Sequence, residues 1–264
     1  MKYIPLVNFF KKIIKRLFSF FGIKLTRMNT NPKHDPFMKT VEWGSLCREI
    51  EDFFSIERPK FSWDSPKSVL GYLSPYRIKQ YHSLTNLCDS FNIDLSTMRI
   101  ADVGTGVGYF LRHLHSRYKP KELWGFDQKE DDLKIAAHLC PEARLENIGF
   151  ENLPKNKFDV VFLMQVIEHV CDPTEVVKSI LKAVKPGGYL IITVPDGRID
   201  QLMAGEFYPR MNSYWGHINF WSIESWDKYL KKNFSYNKQY NGIMSVESKN
   251  LYSIMQKSSK CDSD

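Results

Sequence analysis

Cysteine is sparse in this chain. Its five copies, Cys47, Cys88, Cys140, Cys171 and Cys261, are scattered along 264 residues and form no C-x-x-C pair. An odd, unclustered set argues against a disulfide framework or a zinc module. It makes a reducing cytoplasm the expected compartment. Acid is missing altogether from the first 34 residues, which hold eight lysines and arginines. The net charge of +7 therefore sits in that segment and leaves −1 for residues 35–264. A near-neutral body lacks the basic surface that a nucleic-acid enzyme carries beside its active site, so nucleic acid is not an expected partner. No internal repeat is visible.

What the first segment does contain is an apolar stripe. Leu6, Val7, Phe9, Phe10, Ile13, Ile14, Leu17, Phe18, Phe20 and Phe21 recur at three to four residues, with Lys11, Lys12, Lys15 and Arg16 between them. That spacing predicts a basic amphipathic helix stopping near Gly22, within an arm spanning residues 1–30. Four charges interrupt the run, which argues against a transmembrane span. It also lacks the unbroken core and cleavage site of a signal peptide. The pattern fits an interfacial anchor drawn to anionic lipid, placing the protein on the inner face of the membrane. Packing against the body or in a homodimer is the alternative, and an organelle-targeting peptide a third.

Residues 31–95 read as a helical cap with Pro59, Pro66 and Pro75 as punctuation. From residue 96 to 257 strand and helix signals alternate. Strands are expected at Met98–Val103, Leu123–Phe126, Arg144–Ile148, Phe158–Leu163, Tyr189–Val194, Tyr236–Tyr240 and Leu251–Met255, with Lys185-Pro186-Gly187-Gly188 as a turn. Helices are expected from Tyr109, over Asp131–Leu139, and over Pro173–Val184 behind an Asp172 N-cap. Alternation of this kind predicts an α/β, Rossmann-like, doubly wound and mostly parallel seven-stranded sheet with an antiparallel last strand. Residues 258–264 form a polar tail expected to be disordered.

The first strand runs into Asp102-Val103-Gly104-Thr105-Gly106-Val107-Gly108. Glycines at this spacing allow positive φ and close approach of a ligand to the backbone. A dinucleotide fingerprint would place its third glycine one residue later, where Tyr109 stands. The G-x-G-x-G form resembles motif I of the class I S-adenosylmethionine-dependent methyltransferases. Trp124-Gly125-Phe126-Asp127, Phe158–Phe162, Gln165-Val166-Ile167-Glu168-His169-Val170 and the K-P-G-G-Y-L-I-I-T-V stretch follow in that family's order. The match covers residues 98–196. It is similar to the ubiquinone-biosynthesis type of O-methyltransferase and to methyltransferases of bacterial surface-glycan pathways.

The resemblance implies a cofactor set. Asp102, Gly104, Thr105, Gly106 and Gly108 would cradle S-adenosylmethionine, and Asp127 with its neighbour Gln128 would take the ribose hydroxyls. Arg77, in Ser74-Pro75-Tyr76-Arg77, would pair with the cofactor carboxylate, as a planar guanidinium does well; a surface arginine is the alternative. Where relatives often carry an adenine-binding Asp, this chain has Gly149, which leaves the Phe150 backbone and apolar walls to hold the base. Gln165 replaces the first acid of the E-V-L-E-H-V segment and is placed beside the cofactor. Losing that acid weakens a divalent-metal site, so no metal is expected.

An alcohol acceptor must lose its proton during attack, a task suited to histidine near neutral pH. His169, past the end of the fourth strand, and His217, in a G-H-x-x-F segment, are the candidates, with Glu168 as an orienting partner. Each histidine could instead serve its local turn. His113, His115 and His138 are expected on helix surfaces. Phe207, Tyr208, Tyr214, Trp215, Phe220, Trp221 and Trp226 form either a lid over the core or a platform for a sugar or quinone ring. The expected activity is O-methylation of a glycan, lipid-linked sugar or isoprenoid at the membrane face. A soluble small-molecule acceptor and a non-catalytic binding protein of the same fold are the alternatives. No Asn/Asp-Pro-Pro-Tyr type motif is present, as many nucleic-acid methyltransferases would carry.

Overall fold

The strand Phe158–Met164 reads F-D-V-V-F-L-M. A strand with almost no polar face must be covered on both sides, as parallel strands are. A computed structural model describes residues 43–56, 66–198, 217–244 and 250–259 and covers that strand in this way. The chain divides into two units, Met1–Thr40 and Val41–Asp264, and the described residues all belong to the second. The basic arm and residues 260–264 of the tail lie outside them.

In chain order the elements are α1 (Trp43–Ile56), α2 (Pro66–Tyr72), α3 (Pro75–Ser90), β1 (Arg99–Val103), α4 (Tyr109–Tyr118), β2 (Glu122–Phe126), α5 (Glu130–Leu139) and β3 (Arg144–Glu146). They continue with β4 (Phe158–Met164), α6 (Pro173–Ala183), β5 (Val184–Pro195), α7 (Ile223–Asn233), β6 (Lys238–Ile243) and β7 (Asn250–Gln256). The seven strands lie in the order β3-β2-β1-β4-β5-β7-β6. β7 runs antiparallel to both neighbours and the remaining strands are parallel. The expected architecture, single reversed strand included, is what the chain adopts.

Alternation along the strands sorts the two faces. Ala101 and Val103 of β1, Val161 and Leu163 of β4, and Leu190, Ile192 and Val194 of β5 pack on Val176, Val177 and Ile180 of α6 and Trp226 and Leu230 of α7. On the opposite face, Phe110 of α4 meets Phe162 edge-on at 5.0 Å between ring centroids. α3 and α4 cover this second face, the one that carries Asp102. Trp226 stacks on Tyr229 and meets Trp221 edge-on inside the first core, so these tryptophans act as packing. Residues 199–216, which hold the other expected platform rings from Phe207 to Trp215, lie outside the description.

Several sequence expectations need correcting. Residues 185–188 do not form a turn. β5 runs through them as a broad bulge, its pairing stepping from Phe158↔Val184 to Val160↔Tyr189. Gly187 at φ +78° makes this bulge, and Gln256 and Lys257 bond its backbone from β7. β3 stops at Glu146 rather than Ile148, and β6 lies two to three residues later than expected. His113 is not a surface residue. It packs against Tyr81, His82 and Phe110 between α3 and α4, with Thr85 Oγ1 at 3.2 Å from its Nε2. Burial there pushes its pKa down to about 3, helped by His82 and Arg117.

α6 begins as its sequence requires. Pro173 needs no N–H at the first helical position. Asp172 accepts from Thr174 N and Glu175 N, both at 3.0 Å. Asp172→Ala should cost about 1 kcal/mol, read as a lower denaturant midpoint with an unchanged m-value.

Candidate active site

The glycine turn is pinned to the end of β2. Gly104 N and Thr105 N both donate to the Phe126 carbonyl, at 2.8 and 3.1 Å. Gly106 N donates to Asp127 Oδ2 at 2.8 Å, and Lys129 N donates to Asp127 Oδ1 at 2.9 Å. Gly104, Gly106 and Gly108 take φ of +76°, +53° and +80°, which disfavours any side chain at these positions. Their surroundings differ. A Cβ on Gly104 would come within 2.5 Å of Val166 Cγ2, and one on Gly108 within 2.8 Å of Ala136 Cβ. A Cβ on Gly106 would meet nothing within 4 Å. Gly108 therefore serves helix packing, while Gly106 faces the open crevice.

That crevice is lined by Arg77, Asp102, Gly104, Thr105, Gly106 and Gln165 from the expected set, with Tyr72, Tyr81, Tyr109 and Met164 added. Ser74 caps α3 through Arg77 N. The Arg77 guanidinium lies over the Tyr72 ring at 3.7 Å from its centroid, and Tyr72 in turn stacks on Tyr109. Arg77 thus belongs to the crevice and is not a surface residue. Gln128 is exposed one position past Asp127. Phe150 begins a helical turn, Phe150–Asn152, and packs against the first core. Neither lines the crevice, and of the expected set Asp127 and Gly108 do not line it either.

Gln165 takes φ +56° at the end of β4. A left-handed non-glycine residue costs about 1–2 kcal/mol and needs support. Gln165 N donates to Thr193 O at 3.0 Å, and Nε2 to Thr193 Oγ1 at 3.3 Å. The chain then makes the turn Ile167–His169. Ile218 N and Asn219 N both donate to the Glu168 carbonyl, at 2.8 and 3.1 Å. The Asn219 amide donates to Ile167 O and Val170 O, at 3.1 and 2.6 Å. These bonds bring His217, buried at 8 % exposure, to His169, with ring centroids 4.6 Å apart. His169 is half-exposed, and its Nε2 lies 4.0 Å from an oxygen of the buried Glu168. Ligating atoms of Glu168, His169 and His217 all fall within 4.8 Å of one another. The three expected catalytic residues therefore form one cluster.

Sequence reasoning missed Asn219, Tyr72 and Tyr81. Only an isolated amide among apolar neighbours (Ile218, Phe220, Trp221) hinted at the first. The aromatic wall carried no spacing signal.

A family model described as a methyltransferase domain matches residues 72–234. The chain belongs to this family of class I S-adenosylmethionine-dependent methyltransferases. The methyltransferase is 32% identical over 211 residues to a tRNA U34 carboxymethyltransferase of Pseudoalteromonas atlantica, covering 70% of this chain and 61% of that one. It is 25% identical over 176 residues to a ubiquinone biosynthesis O-methyltransferase of Acinetobacter baumannii, covering 62% and 70%. Against the first three curated relatives, all tRNA U34 carboxymethyltransferases, the match spans 39 to 61% of their length. The plantazolicin methyltransferase BpumL, solved with a triazolic desmethylPZN analog and SAH, shares the fold at a TM-score of 0.55 and 14% identity, over 81% of this chain and 98% of its own.

The cofactor of the methyltransferase is S-adenosylmethionine. The crevice fits it, because Gly106 leaves open space in the turn and Arg77 stands on the cap side, with Asp127 bonded to Gly106 N just outside the lining.

Burial pushes the Asp102 carboxyl up to about 7 from an ordinary 3.8; Thr105 opposes this and the charge of Asp127 adds to it. Between these values the folded chain holds a proton that the unfolded chain has lost. Stability from this group is full below about pH 4 and disappears as pH rises through about 7. Unfolding measured from pH 4 to 8 should show stability falling across that window, and Asp102→Asn should flatten the fall.

Proposed function

We propose that the methyltransferase acts on a hydroxyl of a glycan, a lipid-linked sugar or an isoprenoid-type small molecule, at the cytoplasmic membrane face. The observation that carries the chemical half of this reading is the Glu168, His169 and His217 cluster, one turn past the crevice-lining Gln165. The basic amphipathic pattern of residues 1–30 supports the location. No helix among the described residues is long and apolar enough to cross a membrane, and the four charges inside the arm's apolar run fit an anchor lying in the interface.

S-adenosylmethionine supplies an electrophilic methyl group on its sulfonium when bound. Arg77 would hold the carboxylate, Asp127 and Gln128 the ribose, and the Phe150 region the adenine. Asp102 and the backbone of residues 104–108 would cradle the methionine part, and Gln165 would lie beside it. The half-exposed His169 is placed to meet the acceptor and take its proton as attack proceeds. His217 packs against that ring, and the buried Glu168 orients the pair. Orientation and exclusion of water supply most of the acceleration in such transfers.

We assign no metal to the reaction. Two imidazoles and one carboxylate are a poor match for a hard ion such as magnesium, which favours several oxygen ligands. The same donor set suits zinc or ferrous iron, and the role assigned to the cluster is proton transfer by the imidazoles without an ion. The chelated enzyme should turn over at its original rate; activity lost with EDTA and restored by magnesium would reverse this assignment.

Similarity to tRNA U34 carboxymethyltransferases favours a second reading, an RNA acceptor bound with help from the basic arm. Labelled methyl transfer from S-adenosylmethionine into lipid, glycan, small-molecule and RNA fractions of cells lacking the gene separates the two. Label in lipid, glycan or a small molecule is expected, and label in RNA alone would replace the proposal. In the same assay Asp127→Ala should abolish transfer by losing cofactor affinity. His217→Ala should lower turnover by about 10²-fold or more while cofactor binding is retained; unchanged turnover would remove His217 from the mechanism.

A further inference from the structure

β7 brings one buried amide to the strand edge that also carries the crevice. Asn250 begins β7 opposite Pro195 of β5, and Thr193 of β5 pairs with Met164 of β4. Residues at alternate positions share a face. Asp102, Met164, Thr193 and Asn250 therefore share the face covered by α3 and α4 near one edge of the sheet, Met164 and Thr193 as a pair and Asn250 two residues further along, opposite Pro195. At about 4.8 Å per strand and about 3.3 Å per residue, Asn250 stands two strands over and two residues along, about 12 Å from Met164, beyond the crevice. Open α/β sheets bind their ligands at this strand edge.

Asn250 is only 1 % exposed. Its Oδ1 accepts from Tyr76 Oη at 3.3 Å, so the orientation of the amide is fixed from the cap. Its Nδ2 is buried and has no hydrogen-bond partner among the described residues. A buried unmatched donor is costly, and a bound acceptor oxygen relieves that cost. Tyr76 precedes Arg77, which lines the crevice. One turn of α3 therefore reaches the cofactor crevice through Arg77 and the amide through Tyr76.

We propose that Asn250 is an acceptor-binding residue, its Nδ2 donating to an oxygen of the substrate (hydroxyl, carbonyl or carboxylate) on the side of the strand edge beyond the cofactor crevice. The inference rests on the transfer reaction proposed above and adds to it which residue reads the acceptor. Tyr76 is the positioning residue that holds the amide in register.

The test compares the wild type with Asn250→Asp, which keeps the shape and removes the donor, and Asn250→Leu. Labelled transfer is measured against a dilution series of extract from cells lacking the gene, and SAH affinity is measured by calorimetry. Both variants should bind SAH as the wild type does, and their maximal rates should change little. Their half-saturating extract concentration should rise roughly ten-fold or more. Wild-type half-saturation in both would overturn the proposal. So would a parallel loss of SAH binding and turnover, which marks a structural role. Should Asn250→Leu fail to fold, Asn250→Asp carries the test alone. A wild-type enzyme that labels no fraction contradicts the transfer reaction itself, an outcome distinct from wild-type behaviour of the variants.

Discussion

The Phe126 carbonyl takes two backbone donors at once, Gly104 N and Thr105 N, while the next residue of β2, Asp127, takes Gly106 N on its side chain. This junction of two neighbouring strand ends fixes the turn, and the rest of the site is measured from it. The turn can bend so sharply only because three residues adopt positive φ. It can sit so low only because Val166 and Ala136 fill the space a side chain would need. A change at either packing partner would therefore reach the crevice without touching its lining.

The two halves of the site are built differently. The cofactor half is local: β1, its turn and the end of β2 supply most of the polar atoms within about 25 residues. The chemical half is assembled across the chain. The Glu168 carbonyl accepts Ile218 N and Asn219 N, and the Asn219 amide closes the same turn through Ile167 and Val170. The backbone bonds of Ile218 and Asn219 to the Glu168 carbonyl help to hold His217 beside His169, and the strained Gln165 backbone keeps the turn against the crevice.

This difference explains what could be read from residues alone. The glycine turn and the Asp172-Pro173 helix start are short-range signals, each with a local mechanical cause, and each forms where it was expected. The fold order followed from alternation. Lys185-Pro186-Gly187-Gly188 misled, because its turn chemistry is real but is spent on a bulge that β7 and Lys257 keep in the sheet. His113 misled because helix periodicity did not reveal that α3 would lie against it. Asn219 gave only a faint signal and Asn250 none, since an amide gains meaning only from partners far away in sequence.

The family, the fold and the cofactor stand together, and the acceptor is where fold gives no answer. The central claim is that the junction at Phe126 and Asp127 shapes a seat for the adenosyl and amino-acid ends of one cofactor. A crystal structure of the full chain with SAH tests it most directly. The account predicts ribose hydroxyls at Asp127, the carboxylate at Arg77 and the sulfur beside Gln165. Density elsewhere, or an adenosyl group that leaves Asp127 bound only to its own turn, would contradict it.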